Sequence, residues 1–295
     1  MIWPKISIVT PSYNHGAFLE DTICSVLDQK YPNLEYIIID GGSSDGSLDI
    51  IKRYAKHLHY WESEKDNGHA HALNKGFSHA TGDIMAWQNS DDKYTPWSFS
   101  IVGEIFTQCP EVRWLCGFPG LWDVKGRLST IDTLNPKLNV YNYLTGKYKW
   151  IPQDSVFWRR TLWNKAGGFL DESYPLMCDG ELWTRFFLHE KLYYVHASLS
   201  GYRVHGTNRA MLNRKACDAD MARAIAKLKQ NLPREILDTY KKMPWHYQPK
   251  VADYFCFFFN KRLYQKLFLP ESVLTYPVVI YEGNKWIACP LNQTR

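Results

Sequence analysis

The run Asn89-Ser90-Asp91-Asp92 sets two adjacent carboxylates where an apolar stretch, Ile84 to Trp87, comes to an end. Neighbouring carboxylates repel, and holding them together is costly unless a cation neutralises them. Mg²⁺ or Mn²⁺ prefers such oxygen ligands and keeps positions open for phosphates, so the pair reads as a site for a metal and a diphosphate. A solvated turn with a helix cap before Pro96 explains the same spacing, because Asp, Asn and Ser are common turn residues. Asp179 and Glu181, with Trp183 and Arg185, open a helix after Met177-Cys178. A carboxylate there is either a cap and dipole partner or a group able to take a proton. His205, after Tyr202-Arg203-Val204, either completes a metal shell as a neutral imidazole or packs as an ordinary histidine. His69 and His71, two positions apart on a helix, point in different directions and are not a metal pair. Ser12-Tyr13-Asn14 either supports a ligand or caps the next helix. Asp40-Gly41-Gly42-Ser43-Ser44-Asp45-Gly46 lacks the glycine order of dinucleotide folds and the Gly-Lys-Ser/Thr of a P-loop, which counts against dehydrogenases and NTPases. Its glycines still permit close approach to a ligand, and Asp40 is placed to accept a hydrogen bond from a base or ribose; a plain turn is the bland alternative.

These residues need a frame that gathers them, and the apolar patterning predicts one. Ile6 to Val9 is a strand; residues 17 to 28 place Leu19, Ile23, Val26 and Leu27 on one helical face; Leu34 to Asp40 is a β-branched buried strand. Ser44 or Ser47 caps a helix whose Ile50, Ile51 and Tyr54 face inward, then come a strand at 58–61, a helix at 69–80 and a strand at 84–87. Such alternation predicts an α/β fold with a mostly parallel sheet, and open sheets of that kind bind ligands beyond the carboxyl ends of their strands. The polar clusters at 10–14, 40–45, 64–68 and 89–92 then open onto one cleft. After Pro96 a helix near 97–108, strand pieces at 112–118, 120–131 and 155–158, a helix after Cys178 and strands through 192–204 read as a second half of the same sheet. From about Asn213 the chain reads as helical and charged, ending in an aromatic and basic stretch around Tyr254 to Phe259. That stretch is too short to span a bilayer. It is either a peripheral membrane contact, through residues 250–269, or a core helix or dimer contact. The expected division is 1–95, 96–210 and 211–295.

Composition narrows the class. With 45% hydrophobic and 22% charged residues the chain is neither disordered nor membrane-embedded. A net charge of +5 without an Arg/Lys-dense run is a mild bias toward anionic ligands and excludes a nucleic-acid footprint. Seven cysteines, none in a C-x-x-C pair, read as reduced thiols in a cytosolic protein. Met1-Ile2-Trp3-Pro4-Lys5 runs straight into a strand without the basic and apolar regions of a signal peptide, so the expected location is cytoplasmic, with any contact on the inner face of the membrane peripheral. Twelve Trp and 19 Tyr exceed what a core requires and are read evenly as groove-lining side chains or as bulky core.

Taken together, the segments VTPSYN (9–14), IIDGGSSDG (38–46), EKDNG (64–68) with ALNKG (72–76), WQNSDD (87–92), GGF (167–169), DGELW (179–183) and YRVH (202–205) resemble the inverting nucleotide-sugar glycosyltransferases of the large family 2 type with the GT-A fold. The resemblance spans roughly the first 205 residues. It implies a GT-A sheet with helices on both faces and a small, mainly helical C-terminal region. It further implies a metal-dependent transfer of one sugar from a nucleotide sugar, a uridine diphosphate sugar by preference, to a hydroxyl of a glycan or lipid-linked glycan, in bacterial surface polysaccharide synthesis. Pro11, Tyr13, Asp40 and Asp66 would hold the nucleoside, Asp91 and Asp92 the metal and diphosphate with His205 assisting, and Asp179 would be the base. Ser12, Asn14, Gly42, Gly68, Asn74, Lys75, Asn89, Glu181 and Trp183 complete the implied substrate-binding set. The implied reaction is one in-line displacement through an oxocarbenium-like state, with Mn²⁺ or Mg²⁺ neutralising the departing diphosphate. Asn89 stands where many relatives carry Asp, and the Q-x-x-R-W signature of processive synthases is missing, which favours single-sugar addition. The rivals are a sugar-phosphate nucleotidyltransferase, whose Gly-rich first loop is replaced here by TPSYN, and a non-catalytic binding protein with a decayed site. Oligomeric state is not indicated.

Overall fold

The computed structural model describes residues 3–131, 139–146, 150–243 and 275–292. Its first half alternates as the patterning predicts: β1 (Ile6–Ser12), α1 (Gly16–Leu27), β2 (Leu34–Asp40), α2 (Ser47–Tyr54), β3 (Tyr60–Ser63), α3 (His69–His79) and β4 (Ile84–Trp87). The short β5 (Lys93–Tyr94) and α4 (Ser98–Gln108) lead to β6 (Trp114–Trp122), β7 (Leu128–Ile131), α5 (Val140–Leu144), β8 (Val156–Arg159) and α6 (Arg160–Lys165). Then follow α7 (Cys178–Phe187), β9 (Tyr193–Arg203), α8 (Arg209–Leu212), α9 (Arg214–Gln230), α10 (Arg234–Lys242), β10 (Thr275–Glu282) and β11 (Lys285–Asn292).

All eleven strands join one sheet, ordered β11-β10-β9-β6-β8-β4-β1-β2-β3, with β5 on β9 and β7 on β6. β1 lies parallel to both β2 and β4, and β3 continues parallel to β2. β8 runs antiparallel between β4 and β6, whereas β6, β9 and β10 are mutually parallel neighbours. β1 is buried along its whole length, as a central parallel strand covered on both faces must be. α3 sits close on this centre because Gly76 carries no side chain; a methyl there would overlap Val9 Cγ1.

Three expectations change. Neither Ser44 nor Ser47 caps α2: Gly46 holds that position with φ 92°, and Asp45 Oδ1 instead accepts from Ser47 N at 3.2 Å and Ser47 Oγ at 2.6 Å. Trp183 is core. It is 1% exposed and stacks on Trp87 at 5.8 Å and Trp114 at 5.6 Å, so the tryptophan surplus fills the space between sheet and α7. Beyond α10 the described chain is not helical: β10 and β11 form a hairpin that extends the sheet past β9. The aromatic stretch and the 250–269 membrane segment lie outside the described residues. Cys24, Cys109, Cys116, Cys178, Cys217 and Cys289 are free thiols. Among the described residues, no helix is long and apolar enough to cross a membrane.

Candidate active site

The parallel strands β1, β2, β3 and β4 end on the same side of the sheet, so their following loops converge there. A cleft of about 540 Å³ opens at this point. Pro11, Ser12 and Tyr13 come to it from β1, Gly41 from β2, Asp66 and Gly68 from the loop after β3, and Asn89, Ser90 and Asp91 from the loop after β4. The far wall is Pro175 and Leu176, Tyr202 at the end of β9, and Thr207, Arg209 and Ala210. Gly41 matters for its missing side chain, because a Cβ there would stand 2.8 Å from Asp66 Oδ2 and 3.3 Å from Tyr13 Cδ2. Asp66 is itself held in place by Gly68 N, which donates to its Oδ1 at 2.7 Å. Tyr13, 62% exposed, stands over the cleft without packing into the core.

Asp91 lines the cleft, and behind that lining its carboxylate meets the buried imidazole of His205, Oδ2 to Nε2, at 3.0 Å. His205 is fixed on its other side by Thr207 Oγ1, 2.8 Å from Nδ1. Nearby, Asn89 Oδ1 and Ser12 Oγ are buried with no hydrogen-bond partner. Asn89 and Ser12 line the same cleft as Asp91, so two orphaned oxygens and a carboxylate offer hard oxygen donors of the kind that suit Mg²⁺ or Mn²⁺. No group of three or more His, Cys, Asp or Glu side chains gathers among the described residues, so such an ion would take its remaining ligands from substrate and water. His15 also reaches the cleft, its Nδ1 2.7 Å from Ser90 Oγ. The His69 imidazole is pushed down to about 4, first by burial and then by the nearby Arg209 cation, so it is neutral at ordinary pH.

Several predicted ligands do other work. Asp92 is fully buried behind Asp91; its Oδ1 accepts from Arg203 N at 2.7 Å and its Oδ2 from Asn89 Nδ2 at 3.3 Å. Burial and the neighbouring Asp91 and Asp154 raise its proton affinity well above the usual carboxylate range, which makes it a tie between β9 and the acidic loop rather than a lining ligand. Asp40 is buried and spends its oxygens on Ser43 N and Oγ and on Ser63 Oγ, at 2.9, 2.5 and 2.7 Å. Asn14, at φ 51°, accepts from Ser44 N at 2.9 Å and so pins the loop after β2. Gly42, at φ 80°, lets the backbone of Glu64 and Lys65 pass close by and does not line the cleft; its neighbour Gly41 does.

Asn74 clasps the backbone of Leu170, accepting from its N–H at 2.7 Å and donating to its carbonyl at 2.9 Å. Lys75 pairs with Glu62. Glu181 is fully buried against Arg185, whose Nη2 lies 2.8 Å from Oε2 and whose guanidinium also donates to the carbonyls of Ala166 and Phe169. Asp179, two residues earlier, faces elsewhere and is half-buried in the first turn of α7. Burial pushes its carboxyl up to about 6, the range a proton acceptor needs at neutral pH. It does not line the cleft itself; Pro175 and Leu176, just before α7, do.

The clusters at 40–45 and 64–68 bring Gly41 and Lys65 to the cleft as expected, whereas sequence reasoning missed His15, His69, Tyr202, Thr207 and Arg209 as cleft residues. Only His15 follows a strand end closely, three positions after β1, which is the signal that would have found it; the others come from α3, β9 and the turn and α8 after β9.

Comparison with known proteins agrees with this geometry. The family profile described as glycosyl transferase family 2 matches residues 7–108, which carry β1 to α4 and the acidic loop. A putative teichuronic acid biosynthesis glycosyltransferase of Bacillus subtilis, TuaG, is 44% identical over 94 residues, 31% of this chain and 37% of that relative. An uncharacterized glycosyltransferase of Mycobacterium tuberculosis is 31% identical over 182 residues, 60% of this chain and 67% of the relative. The chain thus spans little more than a third of the first relative and two thirds of the second. Among solved structures, S. aureus TarS 1–349 in complex with UDP-GlcNAc superposes with a TM-score of 0.64 at 15% identity, covering 91% of this chain and 82% of that one. A mannosyltransferase of Pyrobaculum calidifontis in complex with GDP-Man and Mn²⁺ gives a TM-score of 0.60 at 17% identity, covering 89% and 72%. At these identities the structural likeness concerns the fold, and the fold is GT-A. Neither the nucleotidyltransferase nor the binding-protein reading finds support here: the chain belongs to glycosyl transferase family 2 and is a glycosyltransferase.

Proposed function

We propose that the chain transfers one sugar, with inversion, from a uridine diphosphate sugar to an acceptor hydroxyl in the synthesis of a bacterial surface polysaccharide. The observation that carries this reading is Asp91, backed by His205 at 3.0 Å, in the lining of a cleft that Tyr13, Gly41 and Asp66 also line. A divalent ion held by Asp91 and His205, with the orphaned Asn89 oxygen beside them, would supply positive charge to the leaving diphosphate. Tyr13, with Pro11 and Ser12 beneath it, offers a ring face to the base, and Asp66 offers an acceptor oxygen to the nucleoside. Arg209 and neutral His69 also line the cleft, where a cation and a hydrogen-bonding imidazole steady the phosphates. Asp179 takes the acceptor proton as the hydroxyl attacks the anomeric carbon from the face opposite the diphosphate. The relative named for teichuronic acid biosynthesis and the neighbour holding UDP-GlcNAc support the surface-polymer and uridine parts of the reading.

The test is thermal unfolding with uridine, guanosine, adenosine, cytidine and thymidine diphosphates and their sugars, each with Mn²⁺, Mg²⁺ or EDTA, on wild type and Asp91→Asn. A ligand that binds only the folded state raises the midpoint by mass action. The expected result is a shift specific to uridine nucleotides that requires metal and disappears in Asp91→Asn. An equal shift in EDTA removes the metal from the proposal, and a shift with another base replaces the donor.

A further inference from the structure

At the mouth of the cleft the chain turns through α8, whose first two residues, Arg209 and Ala210, line the cleft and whose last two, Met211 and Leu212, do not. Leu212 is 67% exposed, more than any other large apolar side chain among the described residues, and Met211 is 56% exposed. Val204, 40% exposed, precedes them, and Trp150, 36% exposed, lies 4.3 Å beneath the Arg214 guanidinium. This corner is firmly built. Asn208, 2% exposed, donates to Arg203 O at 2.8 Å, Leu212 N donates to Asn208 O at 3.1 Å, and Asn213 donates twice to Arg209 O. The apolar pair is therefore held out into solvent by hydrogen bonds at both ends of its turn. Outside the cleft two cations, Arg214 and Lys215, follow the pair in the chain, and Arg214 lies 3.8 Å from Asp218.

We infer that this corner docks on an anionic lipid surface, with Met211 and Leu212 entering the headgroup layer and the cations meeting lipid phosphates. Apolar side chains flanked by Arg and Lys match such a surface in both polarity and charge. A free glycan fits poorly, since Met and Leu offer it neither hydrogen bonds nor a flat ring face. Docking in this way sets the cleft mouth at the headgroups, so an acceptor carried on a lipid reaches the donor without leaving the membrane. Only that last step rests on the proposed transfer; the lipid contact itself does not.

The experiment is co-sedimentation of the full chain with vesicles of phosphatidylcholine alone or mixed equally with phosphatidylglycerol, comparing wild type, Met211→Ser with Leu212→Ser, and Tyr281→Ser. Tyr281 is 56% exposed on β10 and serves as an apolar control away from the corner. Wild type and Tyr281→Ser should bind the phosphatidylglycerol vesicles alike and the neutral ones weakly. The double variant should bind about tenfold less tightly while keeping its thermal midpoint and its nucleotide-induced shift. Undiminished vesicle binding by the double variant places any lipid contact elsewhere and overturns the inference, as does a wild type that binds no vesicle. A double variant that keeps vesicle binding but loses turnover of a soluble acceptor makes the corner an acceptor surface instead. Loss of the nucleotide-induced shift in wild type would count against the proposed transfer alone, leaving the lipid result to be read on its own.

Discussion

Asp179 shows how one side chain ties burial to chemistry. Its carboxyl, pushed up to about 6 by burial, holds a proton in acid and releases it near neutrality. Turnover should rise as pH climbs through about 6, and Asp179→Asn should lower kcat about 10²- to 10⁴-fold while leaving nucleotide affinity intact. Stability moves the other way. The folded carboxyl binds its proton more tightly than the unfolded one, so this group favours folding most in acid and less as pH rises through about 6. Asp179→Asn should therefore stabilise the protein above about pH 6, by at most about 3 kcal/mol in denaturant titrations. A destabilised variant would mean that the charged carboxylate holds the fold together, contrary to this account. At this scale the acidic loop was legible from residue type, but the division of labour within it was not. Asp91 and Asp92 are neighbours, yet one meets His205 in the cleft and the other is buried under Arg203 N. Nothing in two identical residues says which will face which way; that depends on β9 arriving alongside.

Helical period would have sorted other cases. On α3, residues 69 and 72 face the cleft, Leu73, Gly76 and Phe77 face the sheet, and Asn74 and Lys75 lie on the remaining flanks. At about 100° per residue those flanks cannot share a ligand with His69. Likewise Glu181 lies two positions from Asp179, hence on another face, and four from Arg185, hence beside it. A family motif names residues that belong together in sequence, whereas the helix distributes them between ligand and scaffold. Asn74 is the sharpest instance, since its amide joins α3 to the loop before α7 through both polar groups of Leu170. Asn74→Ala should cost about 2–3 kcal/mol in denaturant unfolding, because two backbone groups lose their partner. The surviving folded protein should bind uridine diphosphate as wild type does. A variant of wild-type stability with weakened nucleotide binding would restore Asn74 to the ligand set. Gly76→Ala, which drives a methyl onto Val9, should cost about 1–3 kcal/mol for a different reason, overpacking.

Across the whole molecule, the sheet grows outward from the parallel strands whose loops form the cleft, at one end, to a hairpin some 275 residues along the chain at the other. The first half was legible because each buried parallel strand is a continuous β-branched run closed by a helical pattern. The hairpin was not read from the sequence, although its signal is present. Gly283-Asn284 joins two alternating apolar segments, and both residues take positive φ, 56° and 62°, as a two-residue turn between twisted strands requires. Tyr276, Val278 and Val279, on the two faces of β10, are at most 4% exposed, and β10 flanks β9, the strand that delivers Tyr202 to the cleft and Arg203 to Asp92. Val278 and Val279 pair directly with Tyr194 and Val195, so a defect there is felt along the length of β9. Val279→Asp buries a charge with no partner and should destabilise the fold by at least about 4 kcal/mol. Tyr281→Ser, at the exposed end of the same strand, should change stability by no more than about 0.5 kcal/mol. If Val279→Asp unfolds in the same transition as wild type, only earlier, the hairpin and the nucleotide-binding half form one cooperative unit. If instead it loses the hairpin in a separate early step while the nucleotide-induced shift persists, β9 is held without its outer neighbours, and the cleft depends on β6 and β8 alone for its far wall.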